Sequence, residues 1–137
     1  AAAVEPLRVG LAAEPVNPAD PFLYHKTTRR AVYDRALAAR PDVDDVLLFN
    51  PDGELTESTR CNVVVGIDGG LWTPPRECGL LAGTFRDELV ERGRVVERRL
   101  RVDNLARAEA LWLVNSVRGW LLARFVDPPP AGRSTPC

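Results

Sequence analysis

The sequence has no methionine, one histidine, three cysteines and a single lysine among its 137 residues. Cys61, Cys78 and Cys137 lack the spacing of a metal-binding motif, and one histidine cannot complete a zinc site. We therefore expect no metal, and reduced thiols in a cytoplasmic protein. Since no initiator methionine is present, we expect either a processed product or a piece of a longer protein.

Charge and hydropathy exclude two further classes of protein. The net charge is -1 with 27% charged residues, so no global basic field attracts nucleic acid or anionic lipid. No apolar run approaches the roughly 20 residues that a membrane-spanning helix needs. We therefore expect one domain, with neither nucleic acid nor a membrane as its partner.

Periodicity and turn residues predict an α+β domain with a strand-rich core. Residues 1–21 carry four prolines and are predicted to be an extended segment with a short strand at Leu7–Leu11. Phe22–His25 is predicted to be a strand that ends at Lys26. The apolar spacing after it predicts a helix over Arg29–Arg40. The other predicted elements are strands at Val46–Phe49, Asn62–Ile67, Leu71–Thr73, Val95–Leu100, Ala110–Asn115 and Val117–Val126, a helix at Thr84–Arg92, and a disordered tail over residues 127–137.

Lys26 carries the only side-chain amine in the sequence. An ammonium can lose its proton when it is desolvated and then attack a carbonyl, whereas a guanidinium effectively cannot. A composition rich in Arg, Ala, Val and Pro also indicates a GC-rich coding sequence, so scarcity alone equally fits a solvated surface lysine. The motifs that follow Lys26 decide between these interpretations.

Three polar motifs follow Lys26 along the chain. Glu57 lies in a predicted polar loop between strands, and Ser116 follows a buried strand. The glycine turn Gly79–Gly83 opens a helix at Thr84, whose free backbone N–H groups suit a phosphate. Each motif alone commonly reflects a turn, a hinge or an exposed hydroxyl. Together, an amine, a carboxylate, an anion cradle and a hydroxyl are the parts that a pyridoxal phosphate site requires.

In this order, the motifs resemble the class IV aminotransferase family, the fold-type IV pyridoxal phosphate enzymes, over Phe22–Val126. The resemblance implies the large, C-terminal domain of that fold, with a barrel-like, strand-rich core and a few flanking helices. Within the family, Asp20–Arg30 and Asn115–Trp120 most resemble the 4-amino-4-deoxychorismate lyase-like domain that is fused behind aminodeoxychorismate synthase component I.

The resemblance also implies roles for individual residues. Lys26 would be the catalytic Schiff-base lysine, Glu57 would pair with the ring nitrogen of pyridoxal phosphate, and Asn62 would be structural. The remaining cofactor-binding residues would be Gly83, Thr84, Phe85 and Ser116. The resemblance implies a small-molecule amino substrate. Three arginines are candidates for its carboxylates, although each also fits an exposed surface charge: Arg30, Arg60 and Arg118.

Two departures from the family pattern stand out. Family members usually carry an asparagine three or four residues after the lysine, where this chain has Arg29 and Arg30. The family also has a smaller N-terminal domain, which supplies an arginine to the phosphate and part of the substrate pocket. Only 25 residues precede Lys26, so we expect this small domain to be absent here or to belong to a longer, fused protein.

The reaction stays open among three alternatives. A lyase would release pyruvate and 4-aminobenzoate from 4-amino-4-deoxychorismate, in folate biosynthesis. A branched-chain or D-amino-acid aminotransferase would instead form a keto acid, and a non-catalytic structural module would do neither. We also expect a homodimer, because strands around Val63–Val65 or Val114 would expose an apolar face that is normally covered.

Overall fold

The computed structural model describes residues 5–16 and 26–127, with side chains from residue 29 onward in the second range. Within these ranges, eight strands form one mixed sheet in the order β3-β2-β1-β8-β7-β4-β5-β6. The strands are β1 (Leu7–Leu11), β2 (Asp45–Phe49), β3 (Leu55–Ser58), β4 (Asn62–Ile67), β5 (Gly70–Thr73), β6 (Val96–Glu97), β7 (Ala110–Asn115) and β8 (Gly119–Phe125). They are accompanied by the helices α1 (Lys26–Ala38) and α2 (Thr84–Glu91) and by 3-10 segments at Arg76–Cys78 and Val102–Arg107.

The sheet confirms the predicted α+β class and its strand-rich, half-barrel core. The predicted strand at Leu7–Leu11 is confirmed as β1, and it lies inside the sheet. It runs parallel to both neighbours, with Val9 opposite Asp45 on β2 and opposite Phe125 on β8. The sheet therefore includes residues that precede Phe22.

The bounds of some predicted elements differ in the structure. Helix α1 begins at Lys26, not at Arg29. The predicted strand at Val95–Leu100 is reduced to Val96–Glu97, because only these residues pair with β5. The predicted strand at Phe22–His25 and the tail beyond residue 127 lie outside the described residues. In the two described ranges, no helix is both long and apolar enough to cross a membrane.

The core occupies both faces of the sheet, as the alternation of side chains along a strand requires. Leu47 on β2 joins the interior of the curled sheet. Its neighbours Val46 and Leu48 face the other way and pack with Val32 and Ala36 of α1. The two faces of β2 therefore fix α1 against the sheet.

The second helix covers the β4 and β7 part of the sheet. Val64 and Val114 are fully buried and pack with Leu89 of α2. Val63 and Val65 are also fully buried, on the interior side. The expectation that these strands present an exposed apolar face is therefore wrong, and this reason for expecting a dimer is removed.

The hairpin between β4 and β5 is closed by the turn that its sequence predicts. Asp68 and Gly69 close it with φ angles of 52° and 77°, the left-handed pair of a type I′ turn, which matches the twist of the strands. The hairpin places Thr73 at the strand end, where its buried hydroxyl donates a 2.7 Å hydrogen bond to the carbonyl of Val63. The chain then leaves β5 through two prolines toward α2.

Candidate active site

Glu57 is a strand residue, not a loop residue as the sequence predicted. It lies in β3, and only 3% of it is exposed. Its Oε2 atom accepts a 2.9 Å hydrogen bond from the hydroxyl of Tyr33 and pairs with the guanidinium of Arg29. The carboxylate is thus held by two side chains of α1, the helix that begins at Lys26.

Arg29 connects three parts of the site. It is fully buried and contacts Glu57 of β3. Its Nε donates to the Tyr33 hydroxyl at 2.7 Å, and its Nη2 donates to the carbonyl of Gly79 at 3.0 Å. Burial raises the pKa of Tyr33, and the neighbouring Arg29 charge opposes this rise. Tyr33 is therefore held as a neutral hydroxyl that accepts from Arg29 and donates to Glu57.

The turn before α2 is fixed by Asn62, the first residue of β4. Its side-chain amide donates to the carbonyl of Leu81 at 2.9 Å, while its oxygen accepts from the backbone N–H of Gly83 at 3.0 Å. A Cβ at Gly83 would meet that same oxygen at 3.0 Å, so the close approach favours glycine. These contacts support the structural role predicted for Asn62.

The start of α2 forms a polar surface, called the cradle below, from the backbone N–H groups of Thr84 and Phe85 and the hydroxyls of Thr84 and Ser116. The hydroxyls of Thr84 and Ser116 lie 2.7 Å apart, one on α2 and the other beyond the end of β7. Gly83 precedes the helix without a side-chain cap. Over the described residues, the backbone N–H groups of Thr84 and Phe85 have no hydrogen-bond partner. Such groups at a helix start can bind an anion.

Arg86 fixes the first turn of α2 to the neighbouring strands. It is 4% exposed, and its Nη2 donates to the carbonyl of Pro74 at 3.0 Å and to the Glu97 carboxylate at 2.5 Å. These contacts join the first turn of α2 to the end of β5 and to β6. The position of the cradle is therefore set by buried polar contacts.

One cavity of about 590 Å³ brings most of the predicted residues together. Its wall includes five of them: Glu57, Arg60, Gly83, Thr84 and Ser116. Asn62, Tyr33 and the segment Leu80–Ala82 complete much of the rest. The carboxylate, the helix start and the hydroxyl therefore face a shared space.

Three of the predicted residues lie elsewhere. Arg118 lines an adjacent cavity of about 660 Å³, which shares Arg60 with the first. Arg30 is exposed on α1 and contributes to neither cavity wall. The side chain of Phe85 packs edge-on against Trp120, with ring centroids 6.5 Å apart, so only its backbone can serve the cradle.

Lys26 is the first residue of α1. It precedes Arg29 by three positions and Tyr33 by seven, a spacing that places all three on one helical face. Because Arg29 and Tyr33 both contact Glu57, this end of α1 lies beside the carboxylate. The role predicted for the side chain of Lys26 lies outside the described part of the structure.

The residues present fit pyridoxal phosphate. The cavity is large enough for a small cofactor, and the N–H groups at the start of α2 suit its phosphate. The carboxylate of Glu57, paired with the adjacent guanidinium, suits a protonated ring nitrogen. An anion site and a buried carboxylate thus meet at one cavity.

Sequence reasoning missed two residues of this site. Arg29 was recognised only as a departure from the family pattern, and Tyr33 was not considered. The helical spacing of Lys26, Arg29 and Tyr33 was available as a signal, because positions three and four apart share a face. The contact of Arg29 with Gly79 joins segments 50 residues apart, so the local spacing of residues could not have predicted it.

The family model for amino-transferase class IV matches residues 1–124. The chain belongs to the class IV aminotransferase family. A Schizosaccharomyces pombe protein named "Putative aminodeoxychorismate lyase" is 39% identical over 106 residues, which are 72% of this chain and 46% of that protein. The Mycobacterium tuberculosis bifunctional aminodeoxychorismate lyase / D-amino acid transaminase is 35% identical over 92 residues, 58% of this chain and 32% of that protein.

A solved structure shares the class IV aminotransferase fold of this chain. The Mesorhizobium loti protein described as a "Putative amino-acid aminotransferase" superposes with a TM-score of 0.83 at 39% identity. The match covers 92% of this chain and 62% of the other. The chain spans about half or less of the length of the two curated relatives.

Proposed function

We propose that this class IV aminotransferase chain forms the cofactor-binding part of a pyridoxal phosphate-dependent 4-amino-4-deoxychorismate lyase. The observation that carries the proposal is the shared cavity, where Glu57 and the start of α2 meet beside the helix that begins at Lys26. The names of the two curated relatives support this substrate. The products would be pyruvate and 4-aminobenzoate, in folate biosynthesis.

The residues of the chain divide the work between binding and proton transfer. Thr84 and Phe85 would bind the phosphate through their backbone N–H groups, beside the hydroxyl of Ser116. Glu57 would hold the ring nitrogen in its protonated form. Bound pyridoxal phosphate supplies an electron sink for breaking a bond at the α-carbon of an amino substrate. The amine of Lys26 would carry the cofactor and move the α-proton.

Arg60 is the best-supported candidate for a substrate carboxylate. It is exposed at the wall of the cavity that holds Glu57, and it also borders the adjacent cavity, where Arg118 lies. A substrate with two carboxylates could therefore meet one guanidinium in each cavity. Arg30 lines neither cavity, and no contact among the described residues supports a substrate role for it.

Transamination is the second candidate. It is favoured by the D-amino acid transaminase activity in the name of the Mycobacterium tuberculosis relative and by the description of the Mesorhizobium loti structure. The same cofactor residues serve both reactions. The difference lies in the fate of the substrate after the α-proton is removed, which depends on residues around the substrate.

Covalent labelling tests the cofactor site. The protein is incubated with pyridoxal phosphate, reduced with sodium borohydride and digested, and its peptides are mapped by mass spectrometry. The proposal predicts a label on Lys26, abolished by Lys26→Ala and retained in the exposed control Arg35→Gln. Absence of a label at saturating cofactor would favour a non-catalytic structural module.

Product analysis separates the two reactions. The protein with cofactor receives 4-amino-4-deoxychorismate, and 4-aminobenzoate and pyruvate are measured together. The lyase proposal predicts equal amounts of both products, and neither with Lys26→Ala. Formation of keto acids from D-amino or branched-chain amino acids, without 4-aminobenzoate, would replace the lyase by a transaminase.

A further inference from the structure

We infer that Arg29 is a positioning residue that holds the Glu57 carboxylate and the loop before α2 in one arrangement around the cavity. The inference rests on the proposed function, because that proposal assigns Glu57 to the cofactor ring. Arg29 is the residue through which three separate elements meet. It belongs to α1, pairs with β3 at Glu57, and donates to the carbonyl of Gly79 ahead of the cradle.

The contact between Arg29 and Glu57 constrains both side chains because both are buried. Arg29 is fully buried and Glu57 is 3% exposed, and charges removed from water are costly unless they are paired and hydrogen-bonded. The pair therefore constrains both side chains and favours the charged form of the carboxylate. Only that form can accept a hydrogen bond from a protonated ring nitrogen while balancing its charge.

Tyr33 closes the arrangement into a three-residue network. Its hydroxyl accepts from Arg29 Nε at 2.7 Å and donates to Glu57 Oε2 at 2.9 Å. The guanidinium also lies 5.3 Å from the centre of the Tyr33 ring. The orientation of Glu57 is thus fixed by two donors on successive turns of one helix.

Arg29 departs from the pattern of the family that the sequence resembles. In that family, an asparagine usually stands three or four residues after the lysine, where this chain has Arg29 and Arg30. An asparagine amide is shorter and uncharged, so it cannot form an ion pair with Glu57. The arginine here makes the carboxylate depend on a cation supplied by α1.

Carbon-13 NMR of labelled glutamate carboxyls tests the contact without any cofactor. We expect Arg29→Gln to move the titration midpoint of Glu57 to higher pH, because the charged carboxylate loses its neighbouring cation. Arg29→Lys restores most of the difference, since it keeps the charge. The matched control Arg35→Gln, exposed on the same helix, leaves the midpoint unchanged.

Cofactor binding provides the second measurement. At neutral pH, Arg29→Gln should weaken the affinity for pyridoxal phosphate by roughly tenfold or more, the loss of one charge-assisted contact. Arg35→Gln should bind like the original protein. If Arg29→Gln does not fold, Tyr33→Phe replaces it, since this variant removes only the hydroxyl between Arg29 and Glu57. It should shift both readouts less and in the same direction.

The outcomes separate this inference from the proposed function. A Glu57 midpoint that is unchanged in Arg29→Gln, or in Tyr33→Phe where that variant is needed, overturns the positioning role. An equal shift in Arg35→Gln overturns it as well. If the Glu57 midpoint shifts as expected but the original protein binds no pyridoxal phosphate, the contact is supported and the proposed function fails.

Discussion

Replacing Asn62 by alanine should loosen the cradle at the start of α2. The side chain is 5% exposed and forms hydrogen bonds of 2.9 and 3.0 Å with the backbone of Leu81 and Gly83. Each such bond contributes about 1 kcal/mol net. Asn62→Ala should therefore lower the free energy of unfolding by about 2 kcal/mol. Denaturation in urea measures this change.

The same variant should weaken binding of pyridoxal phosphate, because the Gly83 N–H loses the partner that fixes the turn. Asn104→Ala is a matched control, since Asn104 also accepts from a backbone N–H, that of Arg101 at 2.7 Å, away from the cavity. It should leave cofactor affinity unchanged. A stability of Asn62→Ala within about 0.5 kcal/mol of the original protein, with unchanged affinity, would show that these two hydrogen bonds do not hold the turn before α2.

Three further predictions concern parts of the fold outside the cavity. Arg40 lowers the pKa of Asp127 from 3.8, so their pairing stabilises the fold above that pH and is lost as pH falls. Asp127→Asn should lower the free energy of unfolding in urea at neutral pH by about 1 kcal/mol, and the stability of this variant should fall less steeply in acid. Burial, then the Glu54 charge, raises the pKa of Cys78 from 9.0 to about 11, so alkylation of this thiol should be slow at neutral pH. Because the unfolded chain loses the thiol proton at a lower pH than the folded protein, the free energy of unfolding should fall as pH rises from 9.0 toward 11. Gly119 has a φ of 69° with open space around it, so Gly119→Ala should cost about 1 kcal/mol through backbone strain alone, measured by thermal unfolding.

Local signals in the sequence predicted the elements with strong patterns. The strands Asn62–Ile67 and Ala110–Asn115 were predicted with their observed bounds, because each is a buried apolar run beside clear turn residues. The Asp68-Gly69 turn between β4 and β5 was also predicted correctly from its residues. The sequence did not predict that only Val96–Glu97 pair with a neighbouring strand, since alternation of apolar and polar residues alone cannot tell whether such a strand is present.

Long-range contacts explain what the sequence did not reveal. The interior place of β1 depends on pairing with Asp45 and Phe125, far apart in the chain. Glu57 was expected in a loop because Thr, Glu and Ser are common in turns, whereas antiparallel pairing with β2 places it in a strand. Arg29 acquires its role only when the fold brings Glu57 and Gly79 to it.

A crystal structure of the protein with pyridoxal phosphate would show directly whether this cavity is the cofactor site. We expect the phosphate against the backbone N–H groups of Thr84 and Phe85, the ring nitrogen on the Glu57 carboxylate, and the aldehyde carbon joined to Lys26. Cofactor found outside this cavity, or in it with the ring nitrogen turned away from Glu57, would show that these roles are assigned wrongly.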